Sequence, residues 1–455
     1  MYGVLDIGTT KIKFFVFDKE LRRTYGESLE NVTHNDGTQD PLYIARAVRH
    51  FLRVAREMGV KKFGVATYRS SILAWDSLGK PLSPIYTWLY DRIDDVYGVR
   101  FKILQHIPKL GILFRQFSPL FRFLKAYKAH GLGSCLREGR CYLWTLDSYI
   151  AYLLTRRFIS DATNATLTGL IHPSNFKPIP LVEDLLGVEI PRPEIVDNYG
   201  EFGDVDGLEF RVLIADQQAA SIAEGAVEPD VVKVTLGTGL FVDIPTGVYR
   251  EKSGFVPLVL YKVGGRVGYG VEAYLAGAGR VLDLLVSWGL ASYQEMSELE
   301  PAGDYVFTIP ALAGFQYPPA SWARGSILGI RHRTERRDIM SSIVATLAFY
   351  VRYVIDSAGV EPRIVRVNGG GSRLNSFVRC LATLLKARVE RAEDFEGTAR
   401  GVAYLLAYGD GATEWGSPLG TFLSLEGGYK YCDHYQTWLQ KMRYLKNLRH
   451  FFQDA

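Results

Sequence analysis

Asp6 closes the apolar run VLDI and is followed by Gly8, Thr9 and Thr10, then by Lys13 within a second apolar run, IKFFVF. A carboxylate beside small hydroxyl residues and a lysine suits Mg2+ and phosphate, because hard cations take oxygen ligands and turn amides form anion-binding concavities. Asp216 is a second candidate carboxylate. It ends the apolar run VLIA and precedes Gln217 and Gln218, a place where a sheet edge holds a side chain rigidly toward a crevice. Phosphoryl transfer needs little more: a carboxylate to accept the proton of an acceptor hydroxyl, a cation, and donors on the phosphates. The plainer alternatives are a hairpin that binds nothing and an aspartate that only caps a helix.

The stretch VTLGTGLFVDI, from Val234 to Ile244, repeats the first pattern far downstream, with Gly237 and Thr238 at its turn. Such a distant repeat is no solenoid period, and it implies two related domains facing each other across a cleft. Gly369, Gly370, Gly371 and Ser372 stand between a strand pattern and a helix pattern, where glycine lets a ligand approach the backbone. Neither GxGxxG nor GxxxxGK[ST] occurs, so neither a dinucleotide fold nor a P-loop is supported.

The elements that must position these residues alternate between strand and helix. After the opening hairpin, Asp40 to Met58 has helical apolar spacing, KKFGVATY reads as a buried strand, and ILAWDSLGKPLSPIYTW as two strands about a turn. FRQFSPLFRFLKAY predicts a helix with inward aromatics. The text from Pro173 through PRPEIVDNYGEFGDV predicts loops. A domain transition is expected near residue 212, giving domains 1–212 and 213–455. The second half adds the long helix DIMSSIVATLAFYVRYVIDSAG, the unit RIVRVNGGGSRLNSFVRCLATLL, and an aromatic helical tail after Trp415. The class is α/β.

With 455 residues, 47% apolar and 22% charged, the chain can build two sizeable cores. Its net charge of +4 is mild and the basic residues are dispersed, which argues against a nucleic acid partner. A strand pattern beginning beside Met1 leaves no room for a signal peptide, and no apolar run is read as membrane-spanning, so a cytoplasmic, membrane-free protein is expected. Cys135, Cys141, Cys380 and Cys432 lack CxxC spacing and are expected as buried free thiols. No HExxH motif supports a zinc hydrolase.

Taken together, the chain resembles the FGGY carbohydrate kinases of the actin-like ATPase superfamily, with a glycerol-kinase-like pattern. The resemblance rests on LDIGTTKIKFFVFD, ADQQAA, VTLGTGLFVDI and VNGGGSRLN in that order, and on GSILGIRHRTERRDIMSSIVA, which departs from the family signature at Ala345. It implies two duplicated actin-like ATPase (ribonuclease H-like) domains around a central cleft, ATP and Mg2+, and transfer to a hydroxyl of a small polyol or sugar. It further implies Asp216 as general base, Asp6 toward Mg2+, and Gly8, Thr9, Thr10, Lys13, Gly237 and Thr238 around the phosphates. Gly370, Gly371 and Asn375 would border the adenosine. On the acceptor, Tyr68, Arg69, Trp88, Asp216 and Gln217 are implied. Where glycerol kinases carry Gln-Arg-Glu, this chain has Tyr68, Arg69 and Ser70, and Gln116 stands for a pocket tyrosine; Arg122 and Lys125 depart from the N-terminal signature. The xylulokinase Gln-Met-His-Gly run is also absent. A pentulose kinase acting on xylulose or ribulose is the alternative on the same machinery; an actin-like or chaperone-like ATPase is the alternative from another class. A homodimer or homotetramer is the family's implied assembly.

Overall fold

In the computed structural model, which describes residues 1–90, 119–180, 188–299, 305–393, 396–411 and 422–452, the strands Tyr2–Ile7 and Lys11–Phe17 form the expected antiparallel hairpin. Branched and aromatic residues on both faces account for their burial, since a central strand is covered on both sides. Lys62–Thr67 pairs in parallel with Tyr2–Ile7, and Leu208–Ala215 in parallel with Lys62–Thr67. The six-stranded sheet runs Tyr199–Val205, Leu208–Ala215, Lys62–Thr67, Tyr2–Ile7, Lys11–Phe17, Arg23–Glu30. The helix Pro41–Glu57 starts at the N-cap Asp40, whose side chain accepts from the Leu42 N–H, and turns Ile44, Val48, Phe51 and Leu52 onto the core.

The chain forms two compact units. The first comprises Met1–Ala223, Leu258–Tyr269 and Glu396–Leu419, the second Glu224–Pro257, Gly270–Phe395 and Gly420–Ala455. Position 212 falls inside the strand Leu208–Ala215, which belongs to the first unit along with the helix Asp216–Ala223. In the second unit Leu240–Pro245, Val231–Leu236, Ile364–Asn368, Arg388–Ala392 and Phe422–Ser424 lie side by side, with residues 270–275 paired along Leu240–Pro245. Both units therefore repeat one motif: an antiparallel hairpin whose first strand takes a parallel neighbour from later in the chain.

Three features depart from the expectations. The cysteines are not free: Cys135 bonds Cys141 and Cys380 bonds Cys432, at Cα separations of 5.5 and 5.8 Å. The second bridge joins the helix Asn375–Leu385 to the turn Lys430–His434, a pairing across 52 residues that spacing rules do not reveal. Residues 194–205, expected as loop, form the strands Glu194–Val196 and Tyr199–Val205. Glycines and acidic residues mask the latter because it is an edge strand, with Phe202 as its buried residue. The helix Arg336–Ala358 is long and apolar enough to cross a membrane by length and composition, yet 83% of that apolar window is buried inside the fold, as for a central core helix. The expected aromatic tail forms the helix Tyr435–Arg443 with Trp438 fully buried; Gln116 and Trp415 lie outside the described residues.

One packing contact positions the first unit's site. The helix Gly397–Tyr408 lies against the helix Asp216–Ala223 so closely that a Cβ added at Gly401 would stand 1.9 Å from the Ala219 carbonyl oxygen. Gly401→Ala must therefore push the helices apart. The expected outcome is a loss of about 1–3 kcal/mol in urea unfolding, and an unchanged midpoint would show that the backbone yields without cost.

Candidate active site

The parallel registers set Ile7 beside Thr67 and Thr67 beside Ala215, so three strands end in one row. Directly after them come Gly8-Thr9-Thr10, Tyr68-Arg69 and Asp216-Gln217. Polar side chains gather here because in open α/β sheets the carboxyl ends of strands stop without a further ladder.

Asp6 lies on the strand Tyr2–Ile7, which flanks this row, opposite Lys13 and is 7% exposed. Burial pushes its carboxyl up to about 7; the Lys13 ammonium works against this, while the charges of Asp216 and Glu396 add to it. These residues thus form one electrostatic group. Lys13 Nζ lies 2.7 Å from Glu396 Oε2, both side chains being about three-quarters buried. Glu396 and Thr398 open the closely packed helix, and the Thr398 hydroxyl donates to the Asp216 carbonyl at 3.2 Å. Asp216 heads its own helix half-buried, with Oδ1 accepting from the Gln217 N–H at 2.7 Å. A cavity of about 450 Å3 opens against Lys13 and Glu396, lined also by Lys11, Phe15 and Ser28.

The hairpin turn is held from behind. Asn31 Nδ2 donates to the Gly8 carbonyl at 2.8 Å, the Asn31 N–H to the Thr10 carbonyl at 2.8 Å, and Gln39 Nε2 to the Thr9 carbonyl at 2.7 Å. Gln39 Oε1 accepts from the buried Tyr68 hydroxyl, whose pKa is held well above the ordinary phenol value by burial and then by the Asp216 charge. Trp88 Nε1 donates to Thr9 Oγ1 at 3.1 Å, and Arg122 Nη2 holds the Trp88 carbonyl at 2.9 Å. Tyr68 and Trp88, read from the sequence as acceptor residues, thus have their polar atoms directed at the Gly8-Thr9-Thr10 turn and its support. Arg69 is half-buried, and Ser70 adopts a left-handed φ of 59° where the chain leaves the strand.

Gly237, Thr238, Gly370, Gly371 and Asn375 belong to the second unit and form a group of their own. The Thr238 carbonyl accepts from the Gly279 N–H at 3.2 Å, and a Cβ at Gly279 would stand 1.9 Å from the Gly237 carbonyl oxygen. Gly237, Thr238 and Gly370 face open space with partly or fully exposed backbone. The turn Gly370–Arg373 leads into the helix starting at Asn375, whose Oδ1 accepts from Arg391 at 2.8 Å. Beneath this surface Lys233 and Asp243 pair at 2.9 Å, fully buried, while Asn368 and Arg366 donate to Glu224, whose carboxyl is pushed up by burial.

The residues not foreseen are Glu396, Gln39 and Asn31. Glu396 carries one signal, an acidic residue at the mouth of a small-residue helix, GTARGVA; the other two are single polar residues in plain text.

A model of the FGGY family of carbohydrate kinases, C-terminal domain, matches residues 232–409. Glycerol kinase of Lactobacillus delbrueckii subsp. bulgaricus is 30% identical over 374 residues, 75% of this chain and 74% of that protein. Glycerol kinase of Aquifex aeolicus is 28% identical over 439 residues, 88% of this chain and 87% of that protein. Among solved structures, Plasmodium falciparum glycerol kinase with ADP superposes with a TM-score of 0.85 at 21% identity, covering 97% of each chain. Ligand-bound xylulose kinase from Lactobacillus acidophilus gives 0.85 at 14% identity, covering 100% of each. The two-domain actin-like ATPase fold is thereby shown.

Carboxyl NMR of the aspartate-labelled protein is expected to find Asp6 titrating near 7. Lys13→Met should raise that value and Glu396→Gln should lower it. A midpoint near the ordinary ~3.9 would mean a solvated carboxylate. Because the folded pKa lies above the unfolded one, Asp6's contribution to stability is complete at low pH and is lost as pH rises through about 7.

Proposed function

We propose, on the premise that this chain belongs to the FGGY family of carbohydrate kinases, that its acceptor is a small polyol of the glycerol type and that Asp216 takes the acceptor's proton. That the chain is an ATP-dependent kinase for a polyol or sugar hydroxyl follows from its family and its curated relatives. The observation that carries the finer reading is the grouping of Asp6, Lys13 and Asp216 at the strand ends of one sheet.

In this reading Asp216 accepts the proton as the acceptor oxygen attacks the γ-phosphorus. Lys13 exchanges its Glu396 partner for phosphate oxygens and offsets the charge that spreads over them. The amides of the Thr9-Thr10 turn and of Gly237-Thr238 cradle phosphates, with Gly370, Gly371 and Asn375 beside the adenosine. Arg69, Trp88, Tyr68 and Gln217 surround the acceptor. Among the described residues no cluster of His, Cys, Asp or Glu could hold a metal alone. That fits Mg2+, which takes one or two carboxylates and completes its shell with water and phosphate, and Asp6 is the carboxylate that would hold it. Bound there, Mg2+ would supply charge neutralisation on the phosphates.

The acceptor corner supports a polyol less simply. Ser70 supplies no carboxylate, and the Tyr68 hydroxyl is spent on Gln39 rather than on a sugar. Arg69 is then left as the charged acceptor residue besides Asp216. Hydrogen-bonding sites discriminate strongly among substrates, so an exchanged partner here shifts which polyol or ketose is accepted. A homodimer or homotetramer, the family's implied assembly, is a separate part of the reading and is measured by light scattering. A cytoplasmic location is part of the same reading, supported by ATP as donor.

ADP release from Mg·ATP, measured against glycerol, other polyols, ketopentoses, ketohexoses and aldoses, tests this. Stimulation by glycerol that Asp216→Asn abolishes, with ATP binding retained, is the expected result. Stimulation by a ketose alone would reject the polyol. ATP turnover that survives Asp216→Asn would reject the base. Lys13→Ala should lower kcat by roughly 10–1000-fold with a smaller change in the KM for ATP, and an unchanged kcat would remove Lys13 from the phosphate.

A further inference from the structure

Thr67 and Ala215 are adjacent strand ends, yet the atoms that continue their hydrogen bonding lie on neither strand. The Ala215 N–H donates to Thr163 Oγ1 at 2.9 Å, and that hydroxyl donates in turn to Asp161 Oδ1. Asp161 Oδ1 also accepts from the N–H groups of Thr163 and Asn164, at 2.8 and 3.1 Å, and from Asn198 Nδ2 at 3.1 Å. Its other oxygen accepts from Asn164 Nδ2 at 2.7 Å, and the same nitrogen reaches Thr67 Oγ1 at 3.3 Å. Asn198 Nδ2 further holds the Leu213 carbonyl at 3.0 Å. Every one of these side chains is at most 2% exposed.

One carboxylate therefore gathers tethers from both strands whose next residues are Tyr68-Arg69 and Asp216. We propose that Asp161, acting through the Thr163 hydroxyl and Asn164, is a positioning residue that sets the separation between the base Asp216 and the acceptor-side Arg69. This rests on the reading of Asp216 as base. The bland account is that Asp161 caps the short helix Ala162–Ala165, and it does accept the two backbone N–H groups a cap requires. A cap has no use for the Thr163 hydroxyl, however, nor for its bond to Ala215. Only a carboxylate serves all the converging donors, because an amide would turn one oxygen into a donor facing Asn164 or Asn198. A buried network of this kind fixes one arrangement when every member is satisfied. A displaced base is costly, since a misplacement near 1 Å loses about 100-fold in rate.

The discriminating variant is Thr163→Val, which keeps shape and cap but removes the hydroxyl. Steady-state kinetics with the acceptor that most stimulates ADP release in that panel of polyols and sugars should show kcat lower by roughly 10–100-fold, the KM for ATP within about 3-fold, and activity restored in Thr163→Ser. Equal kcat in Thr163→Val and wild type overturns the proposal, as does loss of activity in proportion to a loss of folded protein by thermal melt. Should Thr163→Val not fold, Thr163→Ala carries the same comparison without added bulk. Asp216→Asn is run alongside. If it stays active the base reading fails, whereas if it is inactive and Thr163→Val is normal only the positioning role fails.

Discussion

The first unit depends on how near two helices can come. Gly397–Tyr408 and Asp216–Ala223 touch backbone to backbone at Gly401 and Ala219, where any side chain larger than hydrogen would meet the Ala219 carbonyl. Any larger separation would carry Thr398 away from the Asp216 carbonyl and Glu396 away from Lys13. Val402, packing over Gly64, seats the same helix on the sheet. A single close contact thus aligns three structural members: the strand row, the Asp216 helix, and the chain that returns with Glu396.

The two hairpins share a backbone plan but not a charge plan. In the first, Asp6 and Lys13 face each other one pair back from the turn, leaving a carboxyl that burial pushes up to about 7 and a lysine with a second acidic neighbour. In the second, the matching pair is Thr235 and Phe241, and the charged pair, Lys233 with Asp243, lies further from the turn and fully buried. A buried ion pair of that kind is costly to break and does not exchange partners readily. The pair that Lys13 of the first hairpin makes with Glu396 is about three-quarters buried and keeps some contact with water. One copy of the motif therefore carries partly solvated charge, the other fully buried charge beneath a turn of open backbone.

Much of this was legible because it is local. A strand, a glycine turn and a strand announce a hairpin within a dozen residues, and Asp216 is marked by the change from an apolar run to a helix of small residues. Glu396, Gln39, Thr163 and Asp161 were not legible, because their meaning lies in partners that spacing does not connect: Lys13, Thr9, and a backbone amide of another element. The disulfide between Cys380 and Cys432 was hidden for the same reason. The strand at 199–205 was missed for a different one, since an edge strand exposed to water needs little apolar sequence. At the acceptor corner the hydrogen-bond partners were not legible, and Tyr68, whose hydroxyl bonds Gln39, shows this most clearly.

The chain passes between its two units five times, at residues 223, 257, 269, 395 and 419. During synthesis this sets an order. Lys13 leaves the ribosome early, but the carboxylate that pairs with it follows 383 residues later, a wait of roughly 20–80 s at typical rates of translation. Through that interval the first sheet lacks the helix that covers it, and its apolar surface is open to chaperones or to misassembly. The second unit's hairpin and its parallel strand are complete before then. The second unit waits longer still, since its edge strand Phe422–Ser424 and the Cys432 half of its disulfide come after the first unit's last segment, and a ribosome paused before Glu396 would display a nascent chain whose first hairpin exists but whose charge partner does not.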